Sequence, residues 1–231
     1  DPRIQEIARA FGRLLGDAGV DCGTLGRDET DSGHEVRRMG EEGLFEVLRE
    51  KNLDALAERD VKRIVTTDPH AWNAWRQDYD TDLPVQHHAE VLDELVREGR
   101  LRLAPLEDGR TYAFHDPCYR GRHGGIYDAP RRVLDAIPGL ERVEMERSRN
   151  RSFCCGGGSL YLFHEGACDE RMGEARLAMA EAAGADVVVT ACPFCLINIE
   201  DALKTTGRAD RMEVVDLAEV VARSAGGAGA S

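Results

Sequence analysis

The sequence has little of what a membrane-spanning or nucleic-acid-binding protein requires. Its longest apolar run, near residues 185–199, is interrupted by Asp186, Thr190 and Pro193, so no segment is predicted to cross a bilayer. Basic residues are outnumbered, with 30 lysines and arginines against 43 acidic residues and a formal net charge of −13. Because such a chain displaces few counterions from a phosphate backbone, nucleic acid is not expected as a partner.

The sequence also lacks an initial methionine and a secretory leader, so we expect a piece of a longer protein. It has seven cysteines, an odd number, and two of them, Cys154 and Cys155, are adjacent. This count and spacing argue against an extracellular disulfide framework. Free thiols are typical of a reducing compartment, where they most often bind metals or carry out redox chemistry. A cytoplasmic location is therefore expected.

Helical and strand patterns alternate along the 231 residues. Apolar residues at helical spacing predict helices at residues 2–15, 35–57, 89–97, 129–137, 167–183 and 217–222. Short β-branched runs predict strands at residues 61–67, 111–115, 142–145, 186–191 and 213–215. Strands that alternate with helices of this length favour βαβ units, so the expected fold class is α/β with mostly parallel sheets.

An internal repeat divides the chain. Residues 61–71 match residues 185–195 with an offset of 124, and residues 31–33 fall opposite Cys154-Cys155-Gly156 with an offset of 123. We therefore predict two tandem, related α/β repeats with pseudo-twofold symmetry, an N-terminally truncated one at residues 1–103 and a second at residues 104–231. At the four positions where the second repeat has matched cysteines, the first has Asp31, Ser32, Asp68 and Ala71.

The second repeat carries five cysteines in three groups. Cys118 is followed after 35 residues by Cys154-Cys155, and these after 36 residues by Cys192-Pro193-Phe194-Cys195. Cys118 and Cys192 each follow a predicted strand, and the carboxyl ends of parallel strands meet at one edge of a sheet, so the five thiols are expected to converge. Pro193 suits the first turn of a helix, whose free N–H groups would stabilise thiolates.

Five converging thiols favour an iron–sulfur cluster, because structural zinc takes four ligands and would leave one thiol over. Two alternatives stay open. One is a zinc- or cluster-stabilised structural or assembly protein. The other is a dithiol–disulfide oxidoreductase that uses Cys192 and Cys195, which leaves the remaining three cysteines unexplained.

The same residues carry a family resemblance. They are Cys118, Cys154-Cys155-Gly156, Cys192-Pro193-x-Cys195, the segment His115-Asp116-Pro117-Cys118-Tyr119-x-Gly121-Arg122 and the pair His87-His88. The chain resembles the cysteine-rich CCG domain family. That family includes the B and D subunits of heterodisulfide reductases, electron-transfer-flavoprotein-linked oxidoreductases, and the iron–sulfur subunits of glycolate, lactate and glycerol-3-phosphate oxidising systems.

The resemblance covers essentially the whole chain and has specific implications. It implies that one 4Fe–4S cluster, of the non-cubane kind where the heterodisulfide reductases are the model, is bound by Cys118, Cys154, Cys155, Cys192 and Cys195. The first repeat, whose thiols are replaced, is expected to hold no cluster.

The function that this resemblance implies is an iron–sulfur electron-transfer subunit of a heterodisulfide reductase-like or flavoprotein-linked oxidoreductase. The expected partners are a flavoprotein, a ferredoxin-type iron–sulfur protein or domain, or both, with any membrane attachment made through a partner. The acceptor would be a disulfide, a quinone or another carrier. Relay is favoured over direct disulfide catalysis, because only one repeat retains its cysteines.

Arginines are concentrated between the predicted ligands. Residues 118–151 contain eight arginines against five acidic residues. Such a stretch would offset the charge of a cluster and could dock an acidic partner or a carboxylate or sulfonate substrate. The candidates for docking or orienting a substrate are Arg120, Arg122 and His123. The alternative is that the exposed arginines pair with neighbouring glutamates.

The remaining cysteines and histidines are expected to be structural. Cys22, in a predicted strand, and Cys168, at the start of a predicted helix, are interpreted as small buried residues. His87 and His88 are interpreted as structural histidines. In the first repeat, the side chains opposite the thiols are expected to make ordinary hydrogen bonds and helix caps.

Overall fold

The computed structural model describes residues 1–159 and 171–227. The α-helices of this part are α1 (Pro2–Asp17), α2 (His34–Arg38), α3 (Glu42–Ala57), α4 (Pro69–Gln77), α5 (His88–Arg97), α6 (Asp128–Asp135), α7 (Met172–Ala182), α8 (Pro193–Thr205) and α9 (Leu217–Gly227). The strands are β1 (Ile64–Thr66), β2 (Val85–His87), β3 (Thr111–Phe114), β4 (Glu141–Val143), β5 (Val187–Thr190) and β6 (Glu213–Asp216). Short helical turns lie at Gly26–Asp28, Tyr119–His123, Arg149–Arg151 and Gly157–Ser159.

The described strands form two parallel sheets. In the smaller sheet β1 pairs with β2, and Ile64 lies opposite Val85. The larger sheet has the order β4-β3-β5-β6, and each neighbouring pair is parallel. Parallel neighbours need a crossover connection, and helices supply it here. The predicted α/β class with parallel sheets is confirmed.

Helices cover both faces of the larger sheet. Successive strand residues point to opposite faces, so Val187 and Val189 join one apolar core whereas Val188 joins another. The first core also contains residues of α1, α5, α6 and α9, and the second contains residues of α7 and α8. Every residue of β5 is buried, as expected for a parallel strand covered on both sides.

The N-terminal helix packs on the C-terminal one. Asp1 caps α1 by accepting hydrogen bonds from the first free N–H groups, and Phe11 and Leu14 are buried in the first core. The Arg3 guanidinium donates to both carboxylate oxygens of Glu219 in α9, at 2.7 and 2.9 Å. At 16 residues each, α1 and α3 are the longest helices described, and none of the described helices has both the length and the apolarity that a bilayer crossing requires.

The two repeats share a local design. In the first, β1 leads into α4, and in the second, β5 leads into α8; each helix begins with a proline directly after its N-cap. Later in each repeat a glutamate caps the next helix, because Glu90 accepts from the His87 N–H at 3.0 Å and Glu219 accepts from the Asp216 N–H at 2.8 Å. These contacts make α5 the counterpart of α9.

A buried polar pair joins the repeats. His88 Nε2 lies 3.0 Å from Asp216 Oδ1, and both side chains are fully buried. The edge of the His88 ring also meets the ring of Phe11 in α1, with centroids 5.7 Å apart. Since the first core draws on α1, α5, α6 and α9 together, it is shared between the repeats.

The helix predicted at residues 35–57 is in fact two helices, α2 and α3. Gly40 has a φ of +90°, a conformation that favours glycine. Its N–H and that of Glu41 donate to the carbonyls of Arg37 and Val36, which ends α2 in a Schellman motif. Helical periodicity continues across this break, so the sequence pattern did not reveal it.

The strand predicted around Cys22 is also wrong. This segment is a loop, and Cys22 is exposed rather than buried. Gly19 and Gly26 have φ values of +64° and +62°, so the chain turns on both sides of residues 20–25. Cys168 and the start of the helix predicted at residues 167–183 lie outside the described residues.

Candidate metal centre

Three segments of the second repeat bring their cysteines to one place. Cys118 follows β3, Cys192 follows β5 as the N-cap of α8, and Cys154 and Cys155 lie in the loop before the Gly157–Ser159 turn. Because β3 and β5 are adjacent parallel strands, their carboxyl ends lie at the same edge of the sheet. Cys195 lies in the first turn of α8 and completes the group.

The sulfur atoms of these five residues, here called the thiol cluster, form a continuous series of contacts. The Sγ atoms of Cys155 and Cys195 are 3.2 Å apart. Cys154 interacts with both Cys118 and Cys155, and Cys195 interacts with Cys192. Cys155, Cys192 and Cys195 are at most 3% exposed, whereas Cys118 and Cys154 are half-buried.

Ionisation of the thiol cluster is easiest at one sulfur. Interactions with Cys118 and Cys155 lower the pKa of Cys154 well below its usual value, against the opposing effect of burial. The pKa values of Cys118, Cys155 and Cys195 are raised, because each shares a hydrogen bond with a neighbouring sulfur and is held away from water. Without a cation, five adjacent thiols therefore cannot all ionise, and a soft metal would relieve that repulsion.

Three backbone N–H groups also point at these sulfurs. The Gly156 N–H donates to Cys154 Sγ at 3.3 Å, and the Gly157 N–H donates to Cys155 Sγ at 3.4 Å. At the start of α8, the Cys195 N–H donates to Cys192 Sγ at 3.5 Å. Such donors, together with the positive end of a helix, stabilise thiolates and anionic clusters.

The first repeat reproduces the same three hydrogen bonds with oxygen acceptors. Asp31 accepts from the Gly33 N–H at 2.7 Å, Ser32 from the His34 N–H at 3.4 Å and Asp68 from the Ala71 N–H at 3.2 Å. Gly33 and Gly156 also share a positive φ, +72° and +92°. The backbone frame of the thiol cluster thus occurs twice, and in the first repeat its acceptors are the oxygens of loop and capping residues.

Glycines allow the cysteine loop to approach its neighbours. A Cβ on Gly157 would lie 2.8 Å from the carbonyl oxygen of Phe194 in α8. A Cβ on Gly158 would lie 2.5 Å from His70 Cε1 in the first repeat. A Cβ atom would be too close to its neighbour at either position. Glycine at these two positions therefore allows the loop to pack directly against α8 and α4.

Alanine at Gly157 is therefore expected to destabilise the protein. The new methyl group must displace either the loop or the backbone at Phe194, and the free energy of unfolding should fall by about 1–3 kcal/mol. Chemical denaturation measures this change. Gly12, on α1 with open space around it, provides the control, because its replacement by alanine should be neutral or stabilise by up to about 1 kcal/mol. Equal destabilisation by the two substitutions would contradict the close approach.

The first repeat contributes a second polar group, here called the His–Glu–His cluster, formed by His34, Glu35 and His70. The Glu35 carboxylate lies 3.2 Å from His34 Nδ1 and also hydrogen-bonds to His70 Nδ1. Burial lowers the pKa of His70, but the hydrogen bond to Glu35 and nearby negative charge outweigh it and raise this pKa to about 9. The His70 ring stacks on Phe194 with centroids 4.6 Å apart. The His–Glu–His cluster therefore faces the second repeat, directly beside the Cys192–Cys195 motif.

Sequence reasoning missed His34 and Glu35. Their counterparts at an offset of 123 are Gly157 and Gly158, and His70 stacks on its own counterpart at an offset of 124, Phe194. Polar residues standing opposite glycines in a repeat alignment are the signal that could have identified them.

A buried cation lies on the other side of the thiol cluster. Arg176 in α7 is fully buried; its Nε donates to His115 Nδ1 at 2.9 Å and its Nη1 donates to the Arg147 carbonyl at 2.8 Å. A ring nitrogen of His115 and the Sγ atoms of Cys155 and Cys195 all lie within 4.8 Å of one another. Arg176 was also missed, although an arginine on the buried face of a helix, beside Leu177, is a recognisable signal.

A salt-bridge network fixes the segments that lead to Cys118 and Cys154. Arg131 donates to both carboxylate oxygens of Asp116, at 2.7 and 2.9 Å, and to both oxygens of Glu144, at 2.6 and 2.9 Å. Asp116 Oδ2 also accepts from the Arg149 N–H at 2.7 Å, and the Asp116 carbonyl accepts from the Ser152 hydroxyl at 3.2 Å. Asp116, two residues before Cys118, therefore joins the β3 loop to the cysteine loop.

The three residues predicted to dock or orient a substrate lie in different environments. Arg120 is 2% exposed, 3.8 Å from Glu90, and its three nitrogens have no hydrogen-bond partner among the described residues. Arg122 is exposed and donates to the Ser152 carbonyl at 2.8 Å, and His123 is exposed and stacks on Tyr119. Arg120 is thus part of the interior, and only the other two reach the surface.

Several arginines of residues 118–151 are paired with carboxylates. The pairs join Arg131 to Asp116 and Glu144, Arg132 to Asp93, Arg142 to Asp135 and Glu144, and Arg149 to Asp128. Much of the basic character of this stretch is therefore neutralised within the chain.

Comparison with known proteins identifies the family. A model of the cysteine-rich domain, CCG, matches residues 1–71 and 112–200. The chain belongs to the cysteine-rich CCG domain family. The resemblance inferred from the cysteine motifs is confirmed, and the second matched range contains the whole thiol cluster.

Curated relatives match almost the whole chain. It is 43% identical to a probable iron–sulfur-binding oxidoreductase, FadF, of Bacillus subtilis, over 99% of this chain and 33% of that protein. It is 36% identical to the EtfAB:quinone oxidoreductase of Syntrophomonas wolfei, over 96% of this chain and 32% of that protein. It is 32% identical to the D subunit of the dihydromethanophenazine:CoB–CoM heterodisulfide reductase of Methanosarcina barkeri, over 95% of this chain and 55% of that protein. The chain spans about a third of the length of the first two.

Similarity to solved structures is weaker. An aspartate racemase homologue from Pyrococcus horikoshii matches 98% of this chain and 95% of its own, with 14% identity and a TM-score of 0.34. Such a score is too low to support a conclusion about fold or function.

Proposed function

We propose that this chain is the iron–sulfur redox part of an oxidoreductase and that the thiol cluster binds one 4Fe–4S cluster. The observation that carries the proposal is the convergence of five thiols from three segments, in contact with one another and largely buried. Soft thiolates suit iron, and the three N–H donors and the α8 N-terminus suit an anionic group. When bound, such a cluster supplies one-electron chemistry.

The number of thiols supports a non-cubane cluster. An ordinary 4Fe–4S cluster takes four cysteines, and the thiol cluster offers one more, so one thiolate is available to bridge irons. The first repeat is proposed to hold no cluster, since Asp31, Ser32 and Asp68 present oxygens that already accept backbone hydrogen bonds.

Electron relay is the role we favour. The names of the relatives, which include an EtfAB:quinone oxidoreductase and a component of a heterodisulfide reductase, support a flavoprotein or a ferredoxin-type protein or domain as partner, and a quinone, a disulfide or another carrier as acceptor. The half-buried Cys118 and Cys154 mark the side nearest to solvent, where we place electron exchange with the partner. The cytoplasmic location expected for free thiols belongs to the same proposal.

Metal analysis of anaerobically purified protein tests this function. We expect about four iron and about four sulfide per chain, with electron paramagnetic resonance signals that change between the oxidised and reduced forms. About one zinc and no iron would instead support the structural alternative. Disulfide reduction by metal-free protein, lost on replacing Cys192 or Cys195, would support the dithiol alternative.

A further inference from the structure

The contact between Arg176 and His115 fixes the tautomer of a histidine beside the thiol cluster. Arg176 Nε can only donate, and it lies 2.9 Å from His115 Nδ1, so Nδ1 must be the acceptor. A neutral imidazole with an unprotonated Nδ1 carries its proton on Nε2.

The Nε2–H of His115 needs an acceptor. Its nitrogen is buried and has no hydrogen-bond partner among residues 1–159 and 171–227. Leaving a buried N–H unpaired is costly, and native structures rarely do so. The sulfurs of Cys155 and Cys195 are available acceptors close to the ring, because a ring nitrogen of His115 lies within 4.8 Å of both.

We propose that His115 Nε2–H would donate a hydrogen bond to a sulfur of the cluster when it is bound, and that Arg176 is the positioning residue that holds His115 in this tautomer. This inference rests on the proposed function, since it requires the cluster. Reduction adds negative charge to the cluster, so a hydrogen bond to sulfur and a buried guanidinium both favour the reduced form. Together they raise the reduction potential.

The surroundings of Arg176 suit this role. Its side chain is fully buried, and its Nη1 donates a hydrogen bond to the Arg147 carbonyl. Its Nη2 has no hydrogen-bond partner in the described part of the chain. The negative groups that act on it most strongly are Asp116 and the sulfurs of Cys195 and Cys155. Asp116 is already paired with Arg131, and Arg176 forms no salt bridge with a carboxylate in the described part of the chain, so metal-bound sulfur is the remaining source of counter-charge.

The test compares the reduction potential of the cluster in the unsubstituted protein with that in three variants. Arg176→Met should lower the equilibrium constant for one-electron reduction at least tenfold, a shift of about 59 mV, while iron per chain stays unchanged. Arg176→Lys, which keeps a cation and one donor, should recover most of the potential. Arg211→Met, which removes an exposed arginine paired with Glu181, should leave the potential unchanged.

A spectroscopic measurement on the unsubstituted protein does not depend on whether a variant folds. With ¹⁵N-labelled histidine, pulsed electron paramagnetic resonance should detect a weak nitrogen coupling to the cluster, which is absent in His115→Gln and present in His70→Phe. A strong coupling would mean that His115 binds iron directly and would overturn the hydrogen bond. No histidine coupling, or equal potentials for Arg176→Met and Arg211→Met, would also overturn it. A protein without iron would instead defeat the proposed function itself.

Discussion

Replacing Cys155 with serine is expected to remove the iron–sulfur cluster. Cys155 is the central link of the thiol cluster, because it contacts Cys154 and lies 3.2 Å from the sulfur of Cys195. Its carbonyl also accepts a hydrogen bond from Asn198 in α8, so backbone and side chain both join the cysteine loop to the helix. Serine keeps the size of the side chain but supplies a hard oxygen that stays protonated, and it binds iron poorly.

Iron analysis after anaerobic purification measures this effect. Iron per chain should fall from about four to background, and the visible absorption of the cluster should disappear with it. The matched control is Cys22→Ser, because Cys22 is exposed and lies in a loop of the first repeat. Cys22→Ser should retain the full iron content. A Cys155→Ser protein that keeps its iron and spectrum would exclude Cys155 from the ligands.

Replacing Arg131 with methionine is expected to cause the largest loss of stability. Arg131 is 2% exposed and donates five hydrogen bonds, four to the carboxylates of Asp116 and Glu144 and one to the Tyr127 carbonyl. Removal leaves the carboxylate of Asp116, which is 3% exposed, without its cation. Breaking a buried ion pair in this way costs about 3–5 kcal/mol.

Chemical denaturation of the variants measures this loss, with all samples in the same metal-loading state. The control is Arg171→Met, which removes an exposed ion pair to Asp201 and should cost about 0–1 kcal/mol. A second substitution, Asp116→Leu in the Arg131→Met background, should restore part of the stability, because it removes the uncompensated charge. If Arg131→Met costs no more than Arg171→Met, the network does not stabilise the fold.

The fold class and the convergence of the cysteines could be predicted from the sequence, because both depend on local signals. β-Branched runs such as Val187–Thr190 form buried strands, and prolines such as Pro193 start helices, so the carboxyl ends of strands could be located along the chain. The repeat offset then aligned the two copies. The same local signals failed at Gly40, where a turn interrupts a helical pattern that continues on both sides.

The surroundings of the thiol cluster could not be predicted, because they depend on contacts between distant segments. Arg176 meets His115 across 61 positions of the sequence, and His70 meets Glu35 across 35. Composition also could not predict that Arg120 is buried whereas Arg122, two positions away, is exposed. Burial of this kind is decided by which helices pack together, and no periodicity encodes it.

The paired hydrogen bonds of the two repeats show that the backbone geometry of the thiol cluster does not depend on its cysteines. In the first repeat, Asp31, Ser32 and Asp68 hold the loop and the helix start with oxygen where the second repeat uses sulfur. The same loop geometry therefore forms whether oxygen or sulfur accepts the hydrogen bonds. The first repeat has Asp31, Ser32, Asp68 and Ala71 where the second has cysteines, so a copy of this frame can lack its thiols and still keep the same backbone hydrogen bonds.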